Sequence, residues 1–99
     1  MITENIVLRS DYKRDLKHLS IDTDKYVSLM LIDAAKQILK NNTNIIATSP
    51  DYNYEPFTMK IDKELKKEIK MFCFEKSIKI KDFWNEAAYV AINTESEVD

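Results

Sequence analysis

The clearest structural pattern in the chain lies in residues 57–92, FTMKIDKELKKEIKMFCFEKSIKIKDFWNEAAYVAI. Its first apolar residues alternate with polar ones: Phe57, Met59 and Ile61. That alternation is the period of a β-strand with one buried face. From Leu65 onward the apolar residues recur at helical spacing, in two series separated by a polar break at residues 75–77. The stretch therefore predicts one strand followed by two helices.

The same pattern occurs earlier, in ENIVLRSDYKRDLKHLSIDTDKYVSLMLIDAAKQIL, residues 4–39. Shifting the chain by 53 residues lays residues 3–40 on residues 56–93 without a gap. Of the 17 apolar positions in the first segment, 13 fall on apolar positions in the second. Chance would give about eight or nine matches, because half of the second segment is apolar. We interpret the chain as two copies of one strand–helix–helix unit.

The repeat sets the expected domain organisation. We assign a first unit to residues 1–41, a connecting segment to 42–55, a second unit to 56–93 and an acidic, frayed tail to 94–99. A unit of this length is too small to bury its own core, so the two are expected to pair. Four apolar residues predict that the connecting segment packs against the domain: Ile45, Ile46, Tyr52 and Tyr54.

Composition excludes several classes of function. The chain of 99 residues has no glycine, which removes glycine-rich phosphate loops and the dinucleotide fingerprint. One cysteine, Cys73, and one histidine, His18, form neither an internal disulfide nor a Cys/His zinc site. No apolar run approaches the ~20 residues of a membrane span, and residues 1–9 lack the features of a signal peptide. We expect a cytoplasmic protein with no cofactor, no membrane partner and no small-molecule substrate.

Strand, helix and helix with these spacings resemble the ribbon-helix-helix superfamily of DNA-binding proteins, to which the Arc and MetJ repressors belong. The resemblance covers about three quarters of the chain and occurs twice. It implies a mainly α fold with a short two-stranded ribbon, built from two tandem units that form a pseudo-two-fold domain. In that family the ribbon enters the major groove of double-stranded DNA. Whether the strands pair within one chain or between chains stays open at this level.

The resemblance also implies which residues face the bases. If Ile6, Leu8, Met59 and Ile61 point inward, the outward residues are Thr3, Asn5, Val7, Pro56, Thr58 and Lys60. Lys60 suits guanine and Asn5 suits adenine, while Thr58 and the apolar Val7 suit several bases. Glu4 occupies an inward position, where it lies either near phosphates or at a frayed strand end.

In that family, the start of each second helix also contributes to DNA binding, because its backbone amides bind a phosphate. These positions are Val27 and Ser28 in the first copy and Ile80 and Lys81 in the second. Lysines beside both ends, Lys25 and Lys79, are expected to strengthen them. We also place Ser10 and Asp62 as the N-caps of the first helices.

The function implied is a sequence-specific DNA-binding regulator of transcription, such as a repressor from a virus or mobile element. In a viral case it acts in the host cytoplasm. An accessory factor for plasmid transfer or partition would use the same surface and is the alternative. Tyr89 and Val90 lie off the apolar stripe of the last helix and favour self-association along DNA.

Three other classes of protein are weaker interpretations. An enzyme would need paired catalytic groups at fixed spacing, and none recurs. An antitoxin would need a longer C-terminal extension than residues 94–99 provide. A four-helix bundle without a nucleic-acid role would require the alternating segments to be irregular.

Overall fold

The computed structural model describes residues 1–96, which form two strands and four helices in the order strand, helix, helix, strand, helix, helix. The strands are β1 (Ile2–Arg9) and β2 (Tyr54–Ile61). The helices are α1 (Ser10–Thr23), α2 (Val27–Asn41), α3 (Lys63–Lys76) and α4 (Ile80–Ser96). The expected mainly α fold with a short two-stranded ribbon is confirmed.

The two strands belong to one antiparallel sheet within the chain. Pairing runs from Ile2 opposite Ile61 to Arg9 opposite Tyr54. Both strands extend beyond the alternating apolar residues that predicted them. Pro56 lies inside β2, opposite Val7. Because a two-stranded sheet consists only of edge strands, a proline is tolerated where its nitrogen faces away from the partner strand.

The core lies between the ribbon and the helices, and the second helix of each pair forms its centre. Both predicted apolar stripes are buried: Met30, Leu31, Ala34, Ala35 and Ile38 in α2, and Phe83, Trp84, Ala87, Ala88 and Ala91 in α4. Phe83 makes edge-on ring contacts with Phe72 and Trp84, at centroid distances of 5.8 and 5.5 Å. Burying each large side chain contributes roughly 1.5–3 kcal/mol. The helical stripe at i, i+3, i+4 therefore correctly located the core.

Within residues 1–96, three helices end on a residue in the left-handed backbone region. These residues are Asp24, Asn42 and Ser77, with φ of 57°, 52° and 57°. Glycine normally takes this position because it has no Cβ, but this chain has none. Of the two expected N-caps, Asp62 is confirmed as the N-cap of α3, although its side chain makes no capping hydrogen bond. Ser10 is wrong, because α1 begins at Ser10 and its N-cap is Arg9.

The connecting segment follows the surface of the domain. Ile45 packs against the core, and the Tyr54 hydroxyl donates a hydrogen bond to the Ser49 carbonyl over 2.5 Å. Ile46 is 85% exposed, so the expectation that it packs is wrong. Tyr52 contacts Arg9 at the end of β1, and Tyr54 contacts Lys81 of α4.

The start of the expected acidic tail is helical. Helix α4 continues to Ser96, and the Glu95 carboxylate lies 3.0 Å from Lys25 Nζ. The expectation of frayed chain is therefore wrong for residues 94–96, because an ion pair to the other half of the chain holds the last turn. Residues 97–99, with the remaining acidic side chains, lie outside the described residues.

Candidate nucleic-acid interface

The solvent face of the ribbon carries the six side chains that were expected to face outward. All are exposed: Thr3, Asn5, Val7, Pro56, Thr58 and Lys60. The alternate side chains pack on the helices, and Leu8 and Ile61 have no exposed surface. Successive residues of a strand point to opposite faces, so the alternation alone identified both faces correctly. Contact of these residues with DNA stays a prediction.

Strand pairing arranges the outward residues in three rows. The rows are Thr3 opposite Lys60, Asn5 opposite Thr58, and Val7 opposite Pro56. In the central row Thr58 Oγ1 donates to Asn5 Oδ1 over 2.8 Å. The face thus changes from cationic at one end, through polar, to apolar at the other. Its amide, hydroxyl and ammonium groups are of the kinds that read base edges, and its apolar end suits a thymine methyl group.

Glu4 lies on the buried side of the ribbon and is 8% exposed. It pairs with Met59 in the body of the sheet, so the frayed strand end considered for it does not occur. Its Oε1 lies 3.3 Å from Lys66 Nζ. The charge of Glu4 is therefore balanced beneath the ribbon, and the outward positions of both strands carry no carboxylate.

A groove of about 580 Å³ lies between the start of α2 and strand β2. Four residues expected to contact DNA line it: Val27, Ser28, Thr58 and Lys60. Tyr26 is the N-cap of α2 and makes no side-chain capping hydrogen bond. The amides of a first helical turn have no partner within the helix and bind anions well. The groove thus joins one expected phosphate site to the cationic end of the ribbon.

Lys25 does not strengthen this helix end in the expected way. Its Nζ lies 2.9 Å from an Asp33 carboxylate oxygen and 3.0 Å from Glu95. Hydrogen bonds to these two carboxylates raise the pKa of Lys25. Its positive charge is consequently balanced by neighbouring side chains.

The start of α4 differs from the start of α2 because it carries a buried carboxylate, Asp82. Asp82 Oδ1 accepts hydrogen bonds from the Thr48 amide and hydroxyl, at 2.9 and 3.0 Å, and Oδ2 accepts one from the Lys79 amide at 3.2 Å. Burial raises the pKa of Asp82, but these hydrogen bonds outweigh burial and lower it below its usual range. The negative charge weakens the positive potential expected around Ile80.

Lys81 points to an aromatic ring. Its Nζ lies 3.8 Å from the ring centroid of Tyr54, at the end of the connecting segment. A cation over the face of a tyrosine is held by the ring quadrupole. The Tyr54 ring therefore holds the Lys81 side chain in place. If Lys81 binds a DNA phosphate, its ammonium group does so beside Tyr54.

Asn85 is a residue of this region that the sequence analysis missed. It is 4% exposed, and its Nδ2 donates to the Val7 carbonyl at 3.0 Å and to the Lys81 carbonyl at 2.8 Å. Its Oδ1 accepts a hydrogen bond from the Arg9 amide at 2.8 Å. One side chain thus fastens the end of β1 to α4. The sequence contains one sign of this role: Asn85 occupies a position where the first copy has an isoleucine, Ile32.

Arg9 was also missed, although it ends the strand that carries the outward residues. Its guanidinium lies 4.1 Å from the Tyr12 ring centroid and 3.5 Å from that of Tyr52. Hydrogen bonds to Asp11 raise the pKa of Arg9 and lower that of Asp11. The stack ties the connecting segment to the end of β1.

The one cysteine of the chain has a structural role. Cys73 is buried, and burial raises the pKa of its thiol to about 11, so it is a neutral packing residue at neutral pH. Within residues 1–96, no three His, Cys, Asp or Glu side chains are grouped to hold a metal ion. No helix in that range has both the length and the apolar character to cross a membrane.

Comparison of the chain with protein-family models, with curated proteins and with solved structures finds no match in any of the three.

Proposed function

We propose that the chain is a single-chain pseudo-dimer of two ribbon-helix-helix units that binds double-stranded DNA at a specific sequence, as a transcriptional regulator of a virus or mobile element. One observation carries the proposal. The Lys60 end of an exposed two-stranded ribbon and the uncapped start of α2 line the same groove. A ribbon of this kind fits the major groove, and helix amides fit a phosphate beside it.

Helix boundaries support the two-unit description. The shift of 53 residues found in the sequence relates α1, which spans Ser10–Thr23, to α3, which spans Lys63–Lys76. It also relates the first residues of α2 and α4, Val27 and Ile80. The left-handed residues after α1 and α3, Asp24 and Ser77, correspond as well. Local backbone geometry therefore repeats with the period of the sequence.

The strand register supports a pseudo-two-fold axis. Under the same shift Asn5 corresponds to Thr58, and these two residues face each other in the ribbon. A two-fold axis through that pair would exchange the two units and map the ribbon onto itself. This axis passes through the central row of the outward face. A DNA-binding protein with two-fold symmetry places its axis at the centre of the DNA site.

The two halves of the proposed reader are chemically unequal. The Thr3–Lys60 row is cationic while the Val7–Pro56 row is apolar, and Asp82 lies only at the start of α4. We therefore expect an asymmetric DNA site, in which the half bound by Lys60 and α2 contributes more of the affinity.

The experiment is selection of bound duplexes from a random DNA library, followed by affinity titration of the recovered sequence at two salt concentrations. A short asymmetric motif with steep salt dependence is the expected result. Binding no tighter than to random duplex would contradict the proposal. The genomic position of the motif, near a promoter or near a transfer origin, decides between a regulator and an accessory factor for plasmid transfer or partition.

Replacing Lys60 tests the base-reading role directly. Lys60→Ala should reduce affinity for the selected duplex by about 1–3 kcal/mol and relax the preference at one or two base pairs. Lys36→Ala, which removes an exposed lysine from the middle of α2, is the matched control and should preserve the motif. An unchanged motif and affinity in Lys60→Ala would remove Lys60 from the reading face.

A further inference from the structure

A second concave surface lies between the connecting segment and α4, with a volume of about 450 Å³. We call it the tyrosine cavity, because its wall includes four tyrosines: Tyr12, Tyr52, Tyr54 and Tyr89. Small-molecule sites typically have volumes of about 300–1,000 Å³ and aromatic walls. None of the residues proposed above to contact DNA lines this cavity. Tyr54 borders both surfaces, because Lys81 Nζ lies 3.8 Å from its ring centroid, and the rest of the cavity wall is surface that the proposed DNA contacts leave unused.

The positive charge in the cavity wall is already balanced. Arg9 Nη2 and Nε lie 2.7 and 3.0 Å from the two carboxylate oxygens of Asp11, and Nη1 donates to the Tyr12 hydroxyl at 3.0 Å. The guanidinium is also held between the rings of Tyr12 and Tyr52. Arg9 thus contacts two aromatic rings, and its charge is balanced by the Asp11 carboxylate, so it does not offer an anion a binding site.

Most of the other polar groups in the wall are also occupied. Asp82 accepts three hydrogen bonds from Thr48 and Lys79, and Asn85 uses its amide to hold β1. Glu86 is the charged group of the wall that is left unpaired, because within residues 1–96 its carboxylate has no hydrogen bond or ion pair. Burial raises the pKa of Glu86, as expected for a carboxylate that no donor stabilises.

Aromatic rings lie beside this carboxylate. Tyr89 is one turn along α4 from Glu86, and its ring centroid lies 6.4 Å from that of Tyr12 at an interplanar angle of 48°. Tyr89 is 51% exposed, so its apolar ring surface faces the solvent, whereas Val90 beside it packs against the core. Of the two residues that were expected to favour self-association, the exposed one is therefore Tyr89, which lies beside the Glu86 carboxylate.

We propose that the tyrosine cavity binds a small organic cation, a primary ammonium group carried on an apolar or aromatic arm. Glu86 accepts the hydrogen bonds of the ammonium group, and the rings of Tyr12 and Tyr89 cover the arm. Tyrosine faces attract cations through the ring quadrupole, and Arg9 between two tyrosines shows this contact in the same wall. The molecule is a ligand and not a substrate.

The test uses protonated phenethylamine as the probe, with the whole chain and no DNA, so that its outcome is independent of the proposed function. Calorimetry and two-dimensional amide NMR measure binding. We expect saturable binding with the largest shifts at Glu86, Tyr89 and Tyr12. Phenethyl alcohol and phenylacetate, which replace the ammonium with a neutral or an anionic group, should bind at least about tenfold more weakly.

Variants assign the binding to the carboxylate. Glu86→Gln should weaken binding of the probe at least about tenfold, while Glu68→Gln, which changes an exposed glutamate of α3, should leave it unchanged. The proposal is overturned if phenethylamine does not bind, if its shifts map outside the cavity, or if Glu86→Gln and the parent bind it equally. Equal binding of phenethyl alcohol would likewise overturn it, because the charge would then contribute nothing.

Discussion

At the scale of single residues, two carboxylates one turn apart on α4 show how local donors set the charge state. Asp82 and Glu86 both lie in the wall of the tyrosine cavity, and burial favours the neutral form of each. Asp82 receives three hydrogen bonds that lower its pKa, whereas Glu86 receives none and its pKa is raised. Two of the three hydrogen bonds that distinguish Asp82 from Glu86 come from Thr48 in the connecting segment, which bonds to Asp82 and not to Glu86.

Asp82→Ala should lower the free energy of unfolding at pH 7 by about 1–3 kcal/mol, because the buried amides of Thr48 and Lys79 lose their acceptor. The pKa of Asp82 is depressed in the fold, so its contribution is complete above the unfolded value of 3.8 and is lost as the pH falls below it. Urea unfolding at pH 7, 4 and 3 measures the difference between parent and variant.

That difference should shrink as the pH falls below about 4. Glu68→Ala, an exposed substitution on α3, is the control and should change the free energy little at any pH. A difference for Asp82→Ala that is the same at pH 7 and pH 3 would contradict the proposed charge contribution.

At the scale of secondary-structure elements, the periodicity of the sequence predicted both strands, four helices and their buried faces. The strand ends and the C-terminal caps of the helices were not predicted, because they depend on single backbone contacts. Ser77 ends α3 in the left-handed region, where its amide donates to the carbonyls of Cys73 and Phe74. An L-residue in that region costs roughly 1–2 kcal/mol relative to the right-handed region. Asparagine or glycine at this position would make the same backbone hydrogen bonds as serine.

Ser77→Gly should therefore raise the free energy of unfolding by about 1 kcal/mol, since glycine adopts this backbone conformation without a Cβ clash. Ser20→Gly is the matched control, because it places glycine inside α1 and should instead lower stability by about 0.5–1 kcal/mol. Thermal or urea unfolding measures both. A loss of stability in Ser77→Gly would show that the serine side chain contributes more than the strain it causes.

At the scale of the whole molecule, contacts between distant parts of the chain decide how the ribbon is held. Asn85 bonds to Val7 and Arg9, which lie 78 and 76 residues away in sequence. In the first copy the corresponding residue is Ile32, which cannot form these bonds. This side chain is one source of the difference between the two halves: β1 is fastened to α4, whereas a groove lies between β2 and α2.

Asn85→Ala should lower the free energy of unfolding by about 2–4 kcal/mol, because the Val7 carbonyl and the Arg9 amide lose their partner in a largely buried site. Hydrogen exchange at the Arg9 amide should become faster than in the parent. Asn93→Ala, an exposed asparagine later in α4, is the control. Unchanged exchange at Arg9 in Asn85→Ala would show that the ribbon end is held by other contacts.

The element types, the buried stripes and the outward face of the ribbon can be read from the amino-acid sequence, because they follow from local periodicities of 2.0 and 3.6 residues. Only the tertiary contacts bring Lys60 to the start of α2, hold the Asp82 carboxylate in its charged form through donors of Thr48, pair Lys25 with Glu95, and leave Glu86 without a donor in a wall with four tyrosines. Such contacts join residues far apart in the chain, and no local pattern of polarity encodes which of them meet.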